Sequence, residues 1–286
     1  TFKEGGTNFT NSLLVGTSST GTLSSADKNT GVGTGVLAAL TTGDENVAIG
    51  YQSLDANTTG TNNSGIGTGT LTTNSTGSGN TAVGRNSLGG NTTASENTAV
   101  GMYSLLTNST GTINTAVGIS ALQNSTTSNF NTAIGGYSLD TNTTGASNTA
   151  VGYRALDANT TACFNTAIGA CSGKSITTGC HNTSLGAFSL FTSTTGDCNV
   201  AIGHDALFCN NGSTADNNTA VGHKAMCKNT TGTCNTAVGK DALQSNTTGF
   251  QNTAAGVFAM LANTVGCLNV AVGFQSAQAN TTGSCN

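Results

Sequence analysis

The residues of this chain that can do chemistry are few, and they recur at nearly constant intervals. All nine cysteines lie between Cys163 and Cys285; Cys163 and Cys180 are 17 apart in sequence number, while Cys209 and Cys227, and likewise Cys267 and Cys285, are 18 apart. Paired thiols at such spacing form disulfides or bind soft metals, but no Cys-x-x-Cys pair supplies the usual half of a zinc site. His204 and His223 can share a metal only with a third ligand, and none is evident. Asp140 and Asp157 recur at the same spacing as Cys163 and Cys180, as paired carboxylates for acid–base work or calcium would. Asp205, Lys224 and Asp241 alternate in sign at nearly the same recurrence, which reads as a charge ladder of small energetic value. Asn-Thr-Thr or Asn-Ser-Thr at Asn57, Asn74, Asn91, Asn108, Asn142, Asn159, Asn229, Asn246 and Asn280 matches the N-glycosylation acceptor pattern. The other reading of those asparagines is that a turn needs their hydrogen bonds.

The common interval points to a repeat, which decides how these groups are held. Asn-Thr-Ala-Val-Gly recurs, and its closing glycine stands at 16 positions from Gly16 to Gly273. Fourteen of the 15 intervals have a length of 17 and one, Gly203 to Gly222, a length of 19. The consensus is Gly-x-x-Ala/Ser-Leu-x-x-Asn-Thr-Thr-Gly-x-x-Asn-Thr-Ala-Val/Ile. With 54 Thr, 35 Asn and 40 Gly in 286 residues, these units are too short and too poor in helix formers for a helical solenoid. The pattern predicts an all-β chain, a parallel β-solenoid (β-roll or β-helix) of about 16 coils with a 17-residue repeat. Residues 1–15 read as a lead-in or first partial coil and 16–286 as one continuous solenoid.

Within a coil, short strands are expected at Asn-Thr-Ala-Val and around Ala-Leu, with the Asn-Thr-Thr-Gly segment as the turn. The Val or Ile before each anchor and the Leu or Met four residues after it are expected to fill the interior by stacking on their counterparts. The Asn four residues before each anchor, at Asn46, Asn63, Asn80, Asn97, Asn114, Asn131, Asn148 and Asn165, is expected to form an amide ladder. Alanine alternates with that Val or Ile, so it is expected to face outward as a flat stripe suited to another chain. The 19-residue interval around Asn210–Asp216 is expected to bulge without breaking the stack. Counterparts ~4.8 Å apart lie within the Cα range for a disulfide, and an odd count leaves one thiol over. Cys163, Cys180, Cys209, Cys227, Cys267 and Cys285 are the candidates; Cys180 has Cys198 as a second choice, and free buried thiols are the alternative. Disulfides would imply an oxidising setting.

The Asn-Thr-Ala-Val-Gly-x-x-Ala-Leu phrase resembles the head repeats of trimeric autotransporter adhesins, and more closely the repeats of phage tail-fibre and large bacterial surface-fibre proteins, over nearly the whole chain. The resemblance implies a left-handed β-roll, often trimeric, projecting from a cell or virion to touch a surface. The chain begins without Met and stops inside a repeat, which reads as a segment of something longer.

Composition narrows the function. Charged residues are 7% and the net charge is −4 with no basic run, which excludes the usual electrostatic footprint for nucleic acid. No apolar run is long enough to span a membrane. The two positions after each anchor vary most and carry Tyr51, Arg85, Tyr103, Tyr137, Tyr153, Phe188, His204, Phe258 and Phe274. Recognition is placed on such positions, and spaced aromatics stack on sugars; ordinary exposed or interface residues are the alternative. The expectation is a structural or adhesive extracellular fibre segment, not an enzyme, without cofactor or metal. Its partners would be copies of itself, as trimer or filament, and cell-surface glycans. The alternatives are an ice-binding solenoid and a polysaccharide-binding or polysaccharide-cleaving fibre.

Overall fold

The computed structural model describes residues 2–16, 20–210 and 215–286. It is an all-β parallel β-solenoid of 17-residue coils, in two compact units, Thr1–Thr144 and Gly145–Asn286. The first unit holds β1 (Phe2–Gly6), β2 (Phe9–Val15), β3 (Ala26–Asp27), β4 (Thr30–Val32), β5 (Val47–Ile49), β6 (Ser64–Ile66), β7 (Thr81–Val83), β8 (Thr98–Val100), β9 (Thr115–Val117) and β10 (Thr132–Ile134). The second holds β11 (Thr149–Val151), β12 (Thr166–Ile168), β13 (Thr183–Leu185), β14 (Val200–Ile202), β15 (Thr219–Val221), β16 (Thr236–Val238), β17 (Thr253–Ala255) and β18 (Val270–Val272). The hairpin β1–β2 opens the first unit: β1 runs antiparallel to β2, and β2 pairs parallel with β4 as the first rung. Every later pairing within a unit is parallel and in register, as Thr81, Ala82 and Val83 are with Thr98, Ala99 and Val100.

Each coil from β4 onward has one strand of three residues, not two. The Ala-Leu segment is a turn because Leu there adopts a left-handed backbone: φ is 52° at Leu54, 49° at Leu71 and 51° at Leu88. A second left-handed residue stands two before that Leu (Gln52 at 53°, Asn86 at 55°) and a third just before the ladder Asn (Glu45 at 58°, Glu96 at 62°). Non-glycine residues in this region are strained, at about 1–2 kcal/mol each. Backbone hydrogen bonds to the neighbouring coils offset that strain. Leu54 N–H donates to Thr70 O at 3.0 Å, Gln52 N–H to Thr34 O at 2.9 Å and Asn62 N–H to Asp44 O at 3.0 Å. The turns therefore stack as regularly as the strands. At the anchors φ reaches +135° in Gly118, and a Cβ added there would lie 2.7 Å from the Gly135 carbonyl carbon. Only glycine fits between two backbones so close.

The interior reverses one expectation. Alanine, not Val or Ile, points inward: Ala48, Ala82, Ala99 and Ala116 are fully buried, while Val32, Ile49 and Ile66 remain 40–43% exposed. Only one set of an alternating strand can face in. The inner space is already taken by the buried Leu column and two columns of Asn, which leaves room for a methyl group. Departures compensate in size. Where Gly31 and Gly65 replace that Ala, the facing residue grows from Ser or Ala to Val36 and Thr70; a Cβ on Gly31 would come within 3.0 Å of Val36 Cγ2. Where Gly173 replaces Leu, Ile176 replaces Asn, and its Cδ1 lies 3.1 Å from where a Gly173 Cβ would be.

The Asn column forms a buried amide ladder. Asn97 donates from its backbone N–H at 3.1 Å and from Nδ2 at 3.3 Å to Asn80 Oδ1, and again from Nδ2 to Gly111 O at 2.8 Å. Asn46, Asn63, Asn80 and Asn114 repeat this pattern in the first unit, as Asn165 does with Asn148 Oδ1 through its backbone N–H. Buried amides saturated in this way lose little on leaving water, whereas an orphaned one costs about 1–3 kcal/mol. The inserted residues 211–214 lie outside the described residues, but the stack continues across them: Val200 pairs with Thr219, and Asn218 N–H reaches Asn199 Oδ1 at 3.0 Å.

Two outcomes follow for stability, both measured by denaturant unfolding. Ala99→Val should overpack the interior and destabilise by about 1–3 kcal/mol, while Val117→Thr on the outside should change stability by no more than ~0.5 kcal/mol. Gly173→Leu alone should destabilise by about 1–3 kcal/mol as well, and adding Ile176→Asn should recover most of that loss; equal losses in single and double variants would refute the size compensation.

Candidate functional site

The exposed chemistry stands on the flanking columns, at positions fixed by the left-handed turns. The first residue after the anchor is exposed at Tyr51, Tyr153, His204 and Phe274. The second, left-handed at Tyr103 (φ 62°), Tyr137 (58°), Phe188 (57°) and Phe258 (59°), lies partly against the coil surface. These residues contact mainly their nearest neighbours. Arg85 places its guanidinium carbon 5.7 Å from the Tyr103 ring centroid, Arg154 sits 5.6 Å from Tyr153, and Lys240 Nζ lies 5.4 Å from Phe258, whose ring meets Phe274 edge-on at 6.3 Å. Cation–π contacts at exposed sites contribute about 0.5–1 kcal/mol each.

The densest group is in the second unit and includes residues outside the variable positions that follow each anchor. Phe191 and Phe208 stack at 5.0 Å with their planes 10° apart, and Lys174 Nζ lies 5.4 Å from the Phe191 centroid. Phe188 meets Phe191 edge-on at 5.6 Å and His204 at 5.8 Å, and His204 stacks on His223 at 5.7 Å. Lys174, Phe191 and Phe208 share one repeat position in successive coils, so comparing that column down the repeats would have found them. Phe191 has Phe208 on one face and Lys174 close to its ring, so it offers a ligand mainly its edge. Tyr51, 54% exposed, is the freer platform.

The charged residues pair locally. His204 Nδ1 lies 3.1 Å from Asp205 Oδ2, and Asp241 has Lys240 Nζ at 3.8 Å and accepts from Gln244 Nε2 at 3.1 Å. Among the described residues no ion pair joins Asp205, Lys224 and Asp241 from coil to coil. Burial pushes the half-buried Asp157 carboxyl up, against the opposing pull of Arg154 and Lys174. Among the described residues no three His, Cys, Asp or Glu side chains converge as a metal site would require.

All nine cysteines are free thiols, so the expected bridges Cys163–Cys180, Cys209–Cys227 and Cys267–Cys285 are not made. Residues of one column are carried in parallel at the strand spacing of ~4.8 Å, wider than the ~3.5–4.5 Å between the Cβ atoms of a disulfide. Cys163 and Cys180 act instead as hydrogen-bond acceptors. Cys163 Sγ accepts the Ala146 N–H at 3.3 Å, and Cys180 Sγ accepts the Cys163 N–H at 3.1 Å. Other coils fill this same acceptor position with Asp44, Ser78, Ser95, Asn129, Asp197 and Ser284. In the remaining pairs the backbones meet: Cys209 N–H donates to Cys227 O at 2.9 Å and Cys285 N–H to Cys267 O at 3.0 Å. Burial is the main cause that raises the Cys209 thiol and pushes that of Cys227 up to about 11.

Eight of the nine acceptor-pattern asparagines are interior, and Asn280 in the last coil is half-buried. Asn57, Asn74, Asn91 and Asn108 are fully buried and build a second amide ladder, with Asn74 Nδ2 donating to Asn57 Oδ1 at 2.9 Å and to Gly77 O at 3.0 Å. The turn reading holds for these residues, since a glycan cannot be carried on an amide with no access to solvent. The ladder breaks where Ser125 replaces Asn, leaving Asn108 Oδ1 buried without a partner.

No protein-family model matches the chain, and no curated protein matches it.

The thiols provide a direct check. In the folded chain at pH 8.5, iodoacetamide should modify the exposed Cys198 and Cys234 well before Cys227, read residue by residue by mass spectrometry. A raised folded-state pKa favours the protonated thiol. The stability it contributes is complete below the ordinary thiol value of 9.0 and should be lost as pH rises towards about 11.

Proposed function

We propose that this chain is a structural segment of an extracellular fibre, not an enzyme, that associates with copies of itself and presents exposed side chains to cell-surface glycans. The observation that carries the reading is the division of labour within each coil. The interior is filled by repeating Leu, Ala and Asn columns, whereas most aromatic and charged residues, Tyr51 and Tyr153 among them, stand outside at fixed spacing. Such an arrangement offers repeated shallow contacts rather than an enclosed cleft in which to shift a catalytic group. Weak contacts repeated along a rigid support gain through effective concentration, so single exposed rings such as Tyr51 and Tyr153 suffice for multivalent attachment. The likeness of the repeat phrase to those of fibre proteins supports the same reading.

A second reading has one observation in its favour. The strand Thr residues, Thr81, Thr98, Thr115 and Thr132 among them, align in register and stay partly open to solvent, as a water-ordering face of an ice-binding protein would. The two are separated by assaying the whole chain on a glycan array and for thermal hysteresis. Binding at micromolar concentration, weakened at least fivefold by Tyr51→Ala with Tyr153→Ala, is expected. Thermal hysteresis without glycan binding would replace the adhesive reading, and shortened polysaccharide with new reducing ends would replace the non-enzymatic one.

A further inference from the structure

Of the two outward columns of the parallel strands, the one beside the anchor glycines is apolar and exposed. Every position that precedes an anchor glycine holds Val, Ile, Leu or Ala. In the first unit Val32, Ile49, Ile66, Val100 and Ile134 remain 36–43% exposed, and in the second Ile168, Leu185 and Val238 remain 39–43% exposed. The neighbouring exposed column just past the glycine runs through Tyr51, Arg85, His204 and Lys240. An exposed position that tolerated any side chain would have taken a charge somewhere in 16 coils, as that column does.

We infer that a second copy of this chain docks on this face, sheet against sheet. The inference rests on the structural reading above and names the surface through which copies associate. Three features select another copy over a different partner. Within a unit the face has a single period, the strand spacing of ~4.8 Å, and only a partner of equal period can seat its side chains between successive rungs from one end of the unit to the other. A second copy has that period by construction. The face carries no charge: its two columns hold only Thr, Ser, Val, Ile, Leu or Ala in every rung, so two copies meet without burying an ion. The area is sufficient. Two-fifths of a Val or Ile with the open part of a Thr is roughly 90 Å² per coil, and eight coils make about 700 Å² per unit, near the ~800 Å² that each partner gives to a standard interface. The buried Ala column, expected from the alternation to serve this role, is excluded from it.

The test is the native mass of the full chain by light scattering across 1–100 μM, in reductant. Wild type is expected at two or more times 28.1 kDa. Ile66→Lys and Val100→Lys in the first unit combined with Ile168→Lys and Val238→Lys in the second should give a single chain at every concentration. The same four positions changed to Thr keep β-branched side chains on the strands and should weaken association at least tenfold while the melting temperature of the isolated chain stays within a few degrees; this variant decides the matter if the lysine variant fails to fold. A photo-crosslinking residue at Val100 should join chain to chain, and one at Tyr51 should not. A single-chain wild type overturns the inference, as does association equal to wild type in the threonine variant. A monomeric wild type with thermal hysteresis would assign the face to ordered water. Glycan binding by a single-chain wild type would leave the adhesive reading standing while this inference falls, whereas association through this face without glycan binding would do the reverse.

Discussion

Everything in this structure depends on one constraint: within each unit, a coil hydrogen-bonds through its backbone to the next at strand spacing, in register. Register makes a position in one coil the neighbour of the same position in the following coil. A residue type is therefore selected for how well it stacks on itself. Asparagine meets that demand because its amide both donates and accepts along the stack, as between Asn97 and Asn80. Leucine and alanine meet it by close packing. A like charge does not, and among the inner columns charge is nearly absent. The stability of such a unit is close to a sum over neighbouring coils.

The fold was legible in the sequence because the constraint is written 16 times over. The anchor glycines, the Leu column and the Asn column all follow from requiring identical residues to stack. The orientation of the strand was not legible by the same logic. Hydrophobicity ranks Val above Ala for the interior, and the alternation in Thr-Ala-Val allows either set to face in. What decides is volume, and volume is visible only in the pairs that compensate: Gly31 with Val36, Gly65 with Thr70, Gly173 with Ile176. Those departures from consensus hold the three-dimensional information, because each reports which two columns touch.

The second strand expected at Ala-Leu was missed for a different reason. Leucine is among the residues least expected to adopt a left-handed backbone, and nothing in its type signals one. The conformation is imposed by the stack, since it turns the Leu54 amide towards the neighbouring coil while its side chain fills the interior. The candidate surface residues were partly legible. Variability after the glycine found Tyr51 and Phe188, but Phe191, Phe208 and Lys174 sit at a position that is unremarkable in most coils and becomes aromatic or basic in only three.

The acceptor column that holds Cys163 and Cys180 bears on how a sequence of this kind drifts. A thiol there does what a hydroxyl or a carboxylate does in other coils, receiving one backbone N–H. Exchange between serine and cysteine at such a site is a single-atom change that leaves the hydrogen-bond count intact. Cysteine can therefore accumulate by near-neutral substitution, with no selection for redox chemistry. Cys163 and Cys180 therefore carry no record of the oxidation state of the surroundings.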